Sequence, residues 1–339
     1  MNRNYLLDNA KFIIIFFVVF GHMIEPLIDQ SSIIKTIYLA IYSFHMPTFA
    51  LISGMLSKVD LSSEEISKLV NSIIAPFIAF TFLYELFNLL IQGDISSYTK
   101  NLQPFWILWF LFSLFVWRLL LPIFLKFRFP IFIAFVVSVA AGYFESIGYF
   151  LGISRTLYFF PFFISGYKLT PSIFTHVKLR NISRFVLIGV IAANLALFSF
   201  FHDMKYQWLY GSYSYLALES YGWLAGATRI ALYGLSFLTV MSILLLIPSK
   251  KMSISRKGRN SLHVYVWHGF FIKVFISTGL IGIVGQLPAI IVLICLFALS
   301  SVLTFMLSSA LIEKSTQRFI INPVKIFFAS ITKAGRLLI

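Results

Sequence analysis

Charged residues are scarce in this chain. They make up 12% of its 339 residues, whereas soluble domains contain about 25%. Apolar residues make up 59%, and the mean hydropathy is +0.90. Apolar runs of about 20 residues, the length that crosses a bilayer, recur along the whole sequence. The shortage of charge therefore excludes an ordinary soluble domain and predicts a multi-pass membrane protein.

Cysteine and histidine patterns give no sign of a metal site. Cys295 is the only cysteine, which excludes a disulfide framework and a cysteine-based metal centre. The histidines form no i,i+4 pair, so we expect no metal ion. No small-residue cleavage site follows the first apolar run, which we therefore expect to remain as a helix rather than to be removed as a signal peptide.

Acidic residues are also few. The 12 Asp and Glu residues stand against 27 Lys and Arg residues, a formal net charge of +15. In a soluble protein this balance would suggest nucleic acid, but basic loops also fix the orientation of a membrane protein. The apolar runs predict ten transmembrane helices, at residues 5–28, 36–57, 70–92, 104–125, 130–150, 156–170, 183–202, 228–248, 261–279 and 286–312.

With these spans, the basic residues are distributed unevenly between the two sides. Twenty of the 27 fall on one side and five on the other, which predicts that both termini are cytoplasmic and makes a nucleic-acid partner unnecessary. The predicted fold class is an all-α polytopic membrane protein. It has one membrane domain, residues 1–312, and a basic cytoplasmic tail, residues 313–339, that lies along the inner leaflet.

The first apolar stretch, "DNAKFIIIFFVVFGH" at residues 8–22, contains three polar residues. Asp8 lies one turn before Lys11 and can pair with it. Lys11 and His22 are 11 residues apart, so they share one helix face to within about 20° and lie about 16 Å apart along the axis. A cation at the inner end suits a phosphate group, and an imidazole deeper in the membrane suits proton transfer. This spacing matches an elongated ligand such as acetyl-coenzyme A.

Other polar residues also lie within the predicted spans. His45 and His268 lie near the middle of two spans, and Arg155 lies at the outer end of a third. Together with His22, the two histidines predict a polar core inside the membrane. Pro47 is expected to kink its helix, because proline removes a backbone donor.

Two features have more than one interpretation. Trp106 and Trp109, at the outer end of the fourth span, either anchor the helix at the membrane interface or stack on a ligand. The Tyr- and Trp-rich loop at residues 201–226 is either an interfacial aromatic belt or a lid whose rings stack on sugars.

The Ser53–Gly54 pair favours close helix packing.

Five stretches together resemble the motifs of membrane-bound acyltransferases of acyltransferase family 3. They are "DNAKFIIIFFVVFGH", "SFHMPTFALISG", "FWILWFL", "RTLYFFPFFISGY" and "GRNSLHVYVWH". The branch most similar to this chain contains fucose 4-O-acetylases and capsular polysaccharide O-acetyltransferases. The family signature is an Arg, ten residues and a His in the first helix. Here Lys11 stands at the Arg position and His22 at the His position, so the charge is kept but the planar fork of Arg is lost.

The resemblance implies an enzyme of the cell membrane that moves an acetyl group from acetyl-coenzyme A to a hydroxyl of a cell-surface or lipid-linked carbohydrate. It implies that His22 acts as the general base or accepts the acetyl group transiently, and that Lys11, paired with Asp8, binds the donor phosphates. The remaining candidates would orient the acceptor, stabilise the oxyanion or stack on the sugar: His45, Arg155, His268, Trp106 and Trp109.

Other functions and partners remain open at this point. A flippase or transporter of polyprenyl-linked glycans would also suit a polar-cored bundle, although the sequence shows no inverted repeat. A non-catalytic scaffold would not require the aligned Lys11 and His22. Besides the carbohydrate acceptor and membrane lipid, a homo-oligomer or glycan-assembly proteins are open as partners. Many relatives carry an additional extracytoplasmic domain. We expect this chain either to transfer acetyl directly to the sugar or to use a separate partner.

Overall fold

The structure, a computed structural model, describes residues 4–148, 150–175 and 182–335. Helix makes up 79% of the structure, and the described residues contain no β-strand. We number the α-helices of ten or more residues in chain order: α1 Tyr5–Ile24, α2 Ser32–Tyr42, α3 His45–Met55, α4 Ala75–Gln92, α5 Trp109–Phe124, α6 Pro130–Ala141, α7 Ile153–Lys168, α8 Arg184–Phe200, α9 Gly222–Leu246, α10 Ser261–Ser277, α11 Ala289–Leu307 and α12 Asn322–Gly335.

The all-α membrane architecture is confirmed, and helix is present at each of the ten predicted positions. By length and composition, 6 helical stretches in the described part of the chain can cross a bilayer. They are Tyr5–Gln30, Ser32–Met55, Ser63–Gln92, Trp106–Phe124, Gly222–Leu246 and Ala289–Leu307. The helices α6 and α8 are apolar but shorter. The count of ten spans and the cytoplasmic location of both termini remain predictions.

The second predicted span is broken one turn before Pro47, where a proline ring excludes the carbonyl of the residue four positions earlier. The break lies at Ser43 and Phe44, where the Phe44 amide bonds to the Ile41 carbonyl at 3.1 Å. Helix α3 then starts at His45, so Pro47 lies in its first turn, where the missing amide hydrogen would have had no helical partner. The His45 ring donates to the same Ile41 carbonyl at 2.8 Å, and the turn therefore leaves this carbonyl satisfied.

Helices α3 and α7 pack against each other through glycines, as the sequence predicts. A Cβ atom on Gly54 would lie 1.9 Å from the Phe163 carbonyl oxygen, and one on Gly166 would lie 1.9 Å from the Leu51 carbonyl oxygen. Only glycine therefore permits this approach of the two backbones. Since both helices contribute to the cavities described below, this contact fixes the position of their walls.

The loop between α8 and α9 folds over the ends of α6, α7 and α9. The Tyr215 amide donates to the Gly142 carbonyl at 2.7 Å, and the Ser154 hydroxyl donates to the Gly211 carbonyl at 2.7 Å. Arg229 is 1% exposed, and its guanidinium donates to the Ser138 and Tyr213 carbonyls at 3.2 and 3.3 Å. These bonds hold the loop across the helix ends, with Leu209 and Tyr210 on the wall of the cavity described below. A lid would require this position.

The chain after α11 continues in helical form as far as residue 335. Ala310–Thr316 and the π-helical turn Gln317–Ile321 lead into α12, and α12 contacts α4. The predicted tail therefore packs on the helical bundle over part of its length. Its place at the inner leaflet remains a prediction.

Candidate active site

A cavity of about 170 Å³ lies among α1, α2, α3, α5, α7 and α10, and we name it the His22 cavity. Five of the predicted site residues line it: His22, His45, Trp106, Trp109 and Arg155. The ring centroid of His268 lies 5.5 Å from that of His22. Lys11 and Asp8 do not line this cavity. The structure thus brings five of the predicted site residues, from four separate parts of the chain, to one cavity.

Glu25 orients the His22 ring. Helix α1 ends at Ile24, and Glu25 opens the short 3-10 helix Glu25–Gln30 one turn beyond His22. Oε2 of Glu25 lies 2.8 Å from Nδ1 of His22. Because a carboxylate accepts and does not donate, Nδ1 carries the hydrogen, and in the neutral imidazole Nε2 then has the lone pair. The pair has the chemistry of a general base held by a carboxylate.

Two tyrosine hydroxyls complete the surroundings of Glu25. The Tyr210 hydroxyl donates to Oε1 at 2.7 Å, and the Tyr42 hydroxyl lies 3.4 Å from Oε2 and 3.1 Å from Nδ1 of His22. The Tyr38 hydroxyl lies 2.5 Å from the Tyr210 hydroxyl and can donate to it. Both carboxylate oxygens are therefore bonded, and the orientation of the carboxylate is fixed from two sides.

Sequence reasoning did not single out Glu25, Tyr42 or Tyr210. A signal existed for Glu25, because it is an acidic residue in a predicted span and lies three residues after His22, a spacing that brings side chains together on a helix. No signal existed for Tyr42 and Tyr210, because aromatic residues make up 18% of the chain and a single tyrosine is not distinctive. Only tertiary packing brings these hydroxyls to Glu25.

His45 and His268 have the same local arrangement. Nδ1 of His45 donates to the Ile41 carbonyl at 2.8 Å, and Nδ1 of His268 donates to the Val264 carbonyl at 3.1 Å. Nε2 is then the acceptor nitrogen of each ring. Nε2 of His268 is buried and has no hydrogen-bond partner among the described residues. Both rings can therefore accept a hydrogen bond next to His22.

Aromatic rings and one guanidinium form the rest of the wall. The Trp106 and His22 rings meet edge to face at a centroid distance of 5.3 Å. The Arg155 guanidinium carbon lies 5.3 Å from the Trp109 ring and 5.5 Å from the Tyr210 ring. This arrangement supplies a cation and flat apolar faces beside the imidazole, a combination suited to a polar ligand with an apolar face.

Lys11 belongs to a second cavity. Its ammonium group lies 3.1 Å from the Asp8 carboxylate, so the predicted pairing is confirmed. The cavity at Lys11 measures about 210 Å³ and is lined mainly by apolar side chains of α3, α5 and α10. We name it the Lys11 cavity. It shares Met46 and Tyr265 with the wall of the His22 cavity, and the two cavities are therefore neighbours.

A third, polar cavity adjoins the Lys11 cavity. It measures about 630 Å³ and is lined by polar side chains that include Lys68, Asn71 and Lys325, and we name it the Lys68 cavity. It shares Ser72 and Leu262 with the Lys11 cavity. Lys68 is bound by two neighbouring carboxylates, at 2.7 and 3.0 Å. Three neighbouring cavities thus lie in series between a polar pocket and His22, and Lys11 lines the middle one.

No group of three or more His, Cys, Asp or Glu side chains in the described part of the chain could hold a metal ion.

The fold and the site together define the class of this protein: a helical membrane protein with an imidazole–carboxylate pair at an internal cavity. The family model described as an acyltransferase domain matches residues 4–310, and the chain belongs to acyltransferase family 3. Membership supports an acyltransferase activity and a membrane location. No curated protein and no solved structure matches the chain. The fucose O-acetylase and capsular branch remains a prediction.

Proposed function

We propose that this acyltransferase moves an acetyl group from acetyl-coenzyme A to a hydroxyl of a carbohydrate at the cell membrane, either a cell-surface glycan or a lipid-linked precursor. The observation that carries the proposal is the His22–Glu25 pair, with a 2.8 Å contact between Nδ1 and Oε2. This contact leaves Nε2 of a cavity-lining imidazole available as a base.

His22 has the role of general base in this proposal. Nε2 takes the proton of the acceptor hydroxyl while the hydroxyl oxygen attacks the thioester carbonyl carbon. The carbon–sulfur bond of the tetrahedral intermediate then breaks, and the proton on Nε2 passes to the departing thiolate. Glu25 stabilises the imidazolium that forms between these steps. In the alternative with a transient intermediate, Nε2 attacks the thioester carbonyl carbon and the carbon–sulfur bond breaks to release the thiolate. The sugar hydroxyl then attacks the acetyl-imidazole, the acetyl–nitrogen bond breaks to restore Nε2, and the hydroxyl proton passes to the thiolate.

The three adjoining cavities suit an elongated donor. The polar Lys68 cavity offers the Lys325 ammonium and the Asn71 amide to the charged nucleotide end, whereas the Lys68 ammonium is held by two carboxylates. The Lys11 cavity offers an apolar wall, with Ser53, Ser72 and Ser261 among its lining residues, to a thin uncharged arm. The His22 cavity receives the thioester. Lys11 lies where the arm site begins, and its ammonium group, paired with Asp8, would bind the donor phosphates there.

The remaining wall of the His22 cavity suits a sugar. Trp106 and Trp109 present flat faces on which a sugar ring can stack, and the Arg155 guanidinium lies beside them. His45 offers an acceptor nitrogen for another hydroxyl of the ring. His268 lies behind it, next to His22, and supports the imidazole rather than the sugar. The small volume, about 170 Å³, fits an acetyl group with part of one sugar and leaves the rest of a glycan outside.

Purified protein in lipid nanodiscs provides the test. Radiolabelled acetyl-coenzyme A is supplied with candidate glycan acceptors, and labelled glycan and free coenzyme A are measured together. The expected result is glycan labelling that depends on His22, with one coenzyme A released for each acetyl transferred. NMR of surface glycan from cells with and without the protein identifies the hydroxyl. Glycan binding or movement across the bilayer without any acetyl transfer would overturn the proposal and favour the flippase.

A further inference from the structure

Two side chains separate the His22 cavity from the Lys11 cavity. Met46, in the first turn of α3, and Tyr265, in α10, line both cavities. Each is 7% exposed. A molecule that extends from the Lys11 cavity into the His22 cavity at this boundary passes beside these two residues.

Tyr265 is the fixed member of this pair. Its hydroxyl donates to the Ile107 carbonyl, and its ring meets the Phe110 ring edge to face at a centroid distance of 5.9 Å. Moving the Tyr265 ring would leave a buried carbonyl without its donor, which is unfavourable. The partition therefore cannot open easily on this side.

Met46 is the movable member. A methionine side chain is unbranched and has three rotatable bonds, so it changes shape at little cost. The backbone beside it is anchored, because Nδ1 of His45 donates to the Ile41 carbonyl at 2.8 Å. Rotation of the Met46 side chain would therefore open the partition without moving α3.

We infer that Met46 is a movable partition that the uncharged arm of a thioester donor displaces to reach His22, an inference that rests on the proposed function. Without a donor the partition is closed, and it keeps the two cavities from forming one continuous opening through the membrane. With the donor in place, the arm itself fills the opening. Met46 thus couples donor binding to access to His22.

Thiol labelling in sided vesicles tests the partition without using any acyl donor. In a Cys295→Ser background, a cysteine is introduced at Val18, which lines the His22 cavity, or at Gln103, a half-buried residue of the same wall. A small charged thiol reagent is added to one side of the membrane at a time. Ser63→Cys, at an exposed position of the Lys68 cavity, reports which side carries Lys11.

With Met46 unchanged, both reporter cysteines should react with reagent added to the side of the membrane opposite Lys11. They should react only slowly with reagent added to the Lys11 side. Met46→Ala should speed labelling from the Lys11 side by roughly ten- to a thousandfold, since a minor open state is populated at about 0.1–10%. Met46→Leu, which keeps the volume, should label like the parent. Leu56→Ala, which enlarges the Lys11 cavity away from the partition, should do the same.

Two results would overturn the inference. If the parent already labels equally from both sides, no partition exists. If Met46→Ala labels from the far side as the parent does but gains nothing from the Lys11 side, Met46 is not the barrier. Reporter labelling from the far side also shows that each variant is folded. Because the assay contains no donor, failure of acetyl transfer would remove the proposed function while leaving the result at Met46 readable.

Discussion

Glu25→Gln tests the imidazole–carboxylate pair with the smallest structural change. Glutamine has nearly the same shape, and its carbonyl oxygen can accept the hydrogen of His22 Nδ1, as Oε2 does at 2.8 Å. Its amide group takes the place of Oε1, to which Tyr210 now donates. The substitution therefore keeps the ring in position and removes the negative charge that would stabilise the imidazolium.

The expected loss of catalytic rate follows from the hydrogen bond between His22 and residue 25, which changes from a charged to a neutral one. Hydrogen bonds to a charged group contribute about 1.5–3 kcal/mol, against about 0.5–1.5 for neutral ones. The variant thus loses roughly 1–2 kcal/mol of stabilisation when His22 is protonated, which lowers kcat about five- to thirtyfold. KM for the donor should change little, because the interaction strengthens only as the proton is transferred. Glu25→Ala should lose more, since the ring is then also free to rotate.

Initial rates of coenzyme A release, measured over a range of donor concentrations, check this prediction. Glu145→Gln is the matched control, because Glu145 is an exposed carboxylate that does not line the His22 cavity. A Glu25→Gln enzyme that turns over within a factor of two of the parent would refute the assigned role of Glu25. A loss confined to KM would instead point to a contact with the bound substrate.

Three further predictions concern the same helices. His22→Ala should abolish acetyl transfer while the protein remains inserted and monodisperse, whereas His202→Ala, at a half-buried histidine that does not line the His22 cavity, should keep normal rates. Lys11→Ala should raise KM for the donor with kcat largely kept, and Lys11→Arg should have only a mild effect. Saturation kinetics measure both constants, and an unchanged KM in Lys11→Ala would contradict this prediction. Gly54→Ala should destabilise the protein by about 1–3 kcal/mol through overpacking, because the new Cβ would lie 1.9 Å from a carbonyl oxygen. Its control is Gly234→Ala, where no atom lies within 4 Å, and equal melting temperatures for the two variants would contradict the packing argument.

The first helix was the most predictable part of the site, because its geometry depends on one periodicity. The Asp8–Lys11 pair and the position of His22 follow from residue spacing alone. The same i,i+3 spacing also accounts for the contact between His22 and Glu25. The change from α-helix to 3-10 helix at Glu25 is a matter of local backbone geometry that apolar patterning does not reveal.

The tyrosines could not be predicted, because their positions depend on contacts distant in sequence. Tyr210 is 185 residues from Glu25. It reaches the carboxylate because the neighbouring Gly211 carbonyl accepts from Ser154 and the loop is held again at Gly142. Neither contact has a sequence pattern of its own. The sequence left the loop open as belt or lid, and tertiary packing places Leu209 and Tyr210 of this loop on the wall of the His22 cavity.

Helical spacing predicts which face of a helix a side chain lies on, but not which cavity it lines. Lys11 and His22 share a face of α1, as their 11-residue separation predicts, yet they open into different cavities. The walls of those cavities come from α3 and α10, and one residue from each helix lies between them. A ligand that contacts both Lys11 and His22 must therefore extend over about 16 Å along α1, and it must be narrow where it passes Met46. That requirement excludes a compact substrate, and it favours a donor whose charged end and reactive end are joined by a narrow uncharged arm.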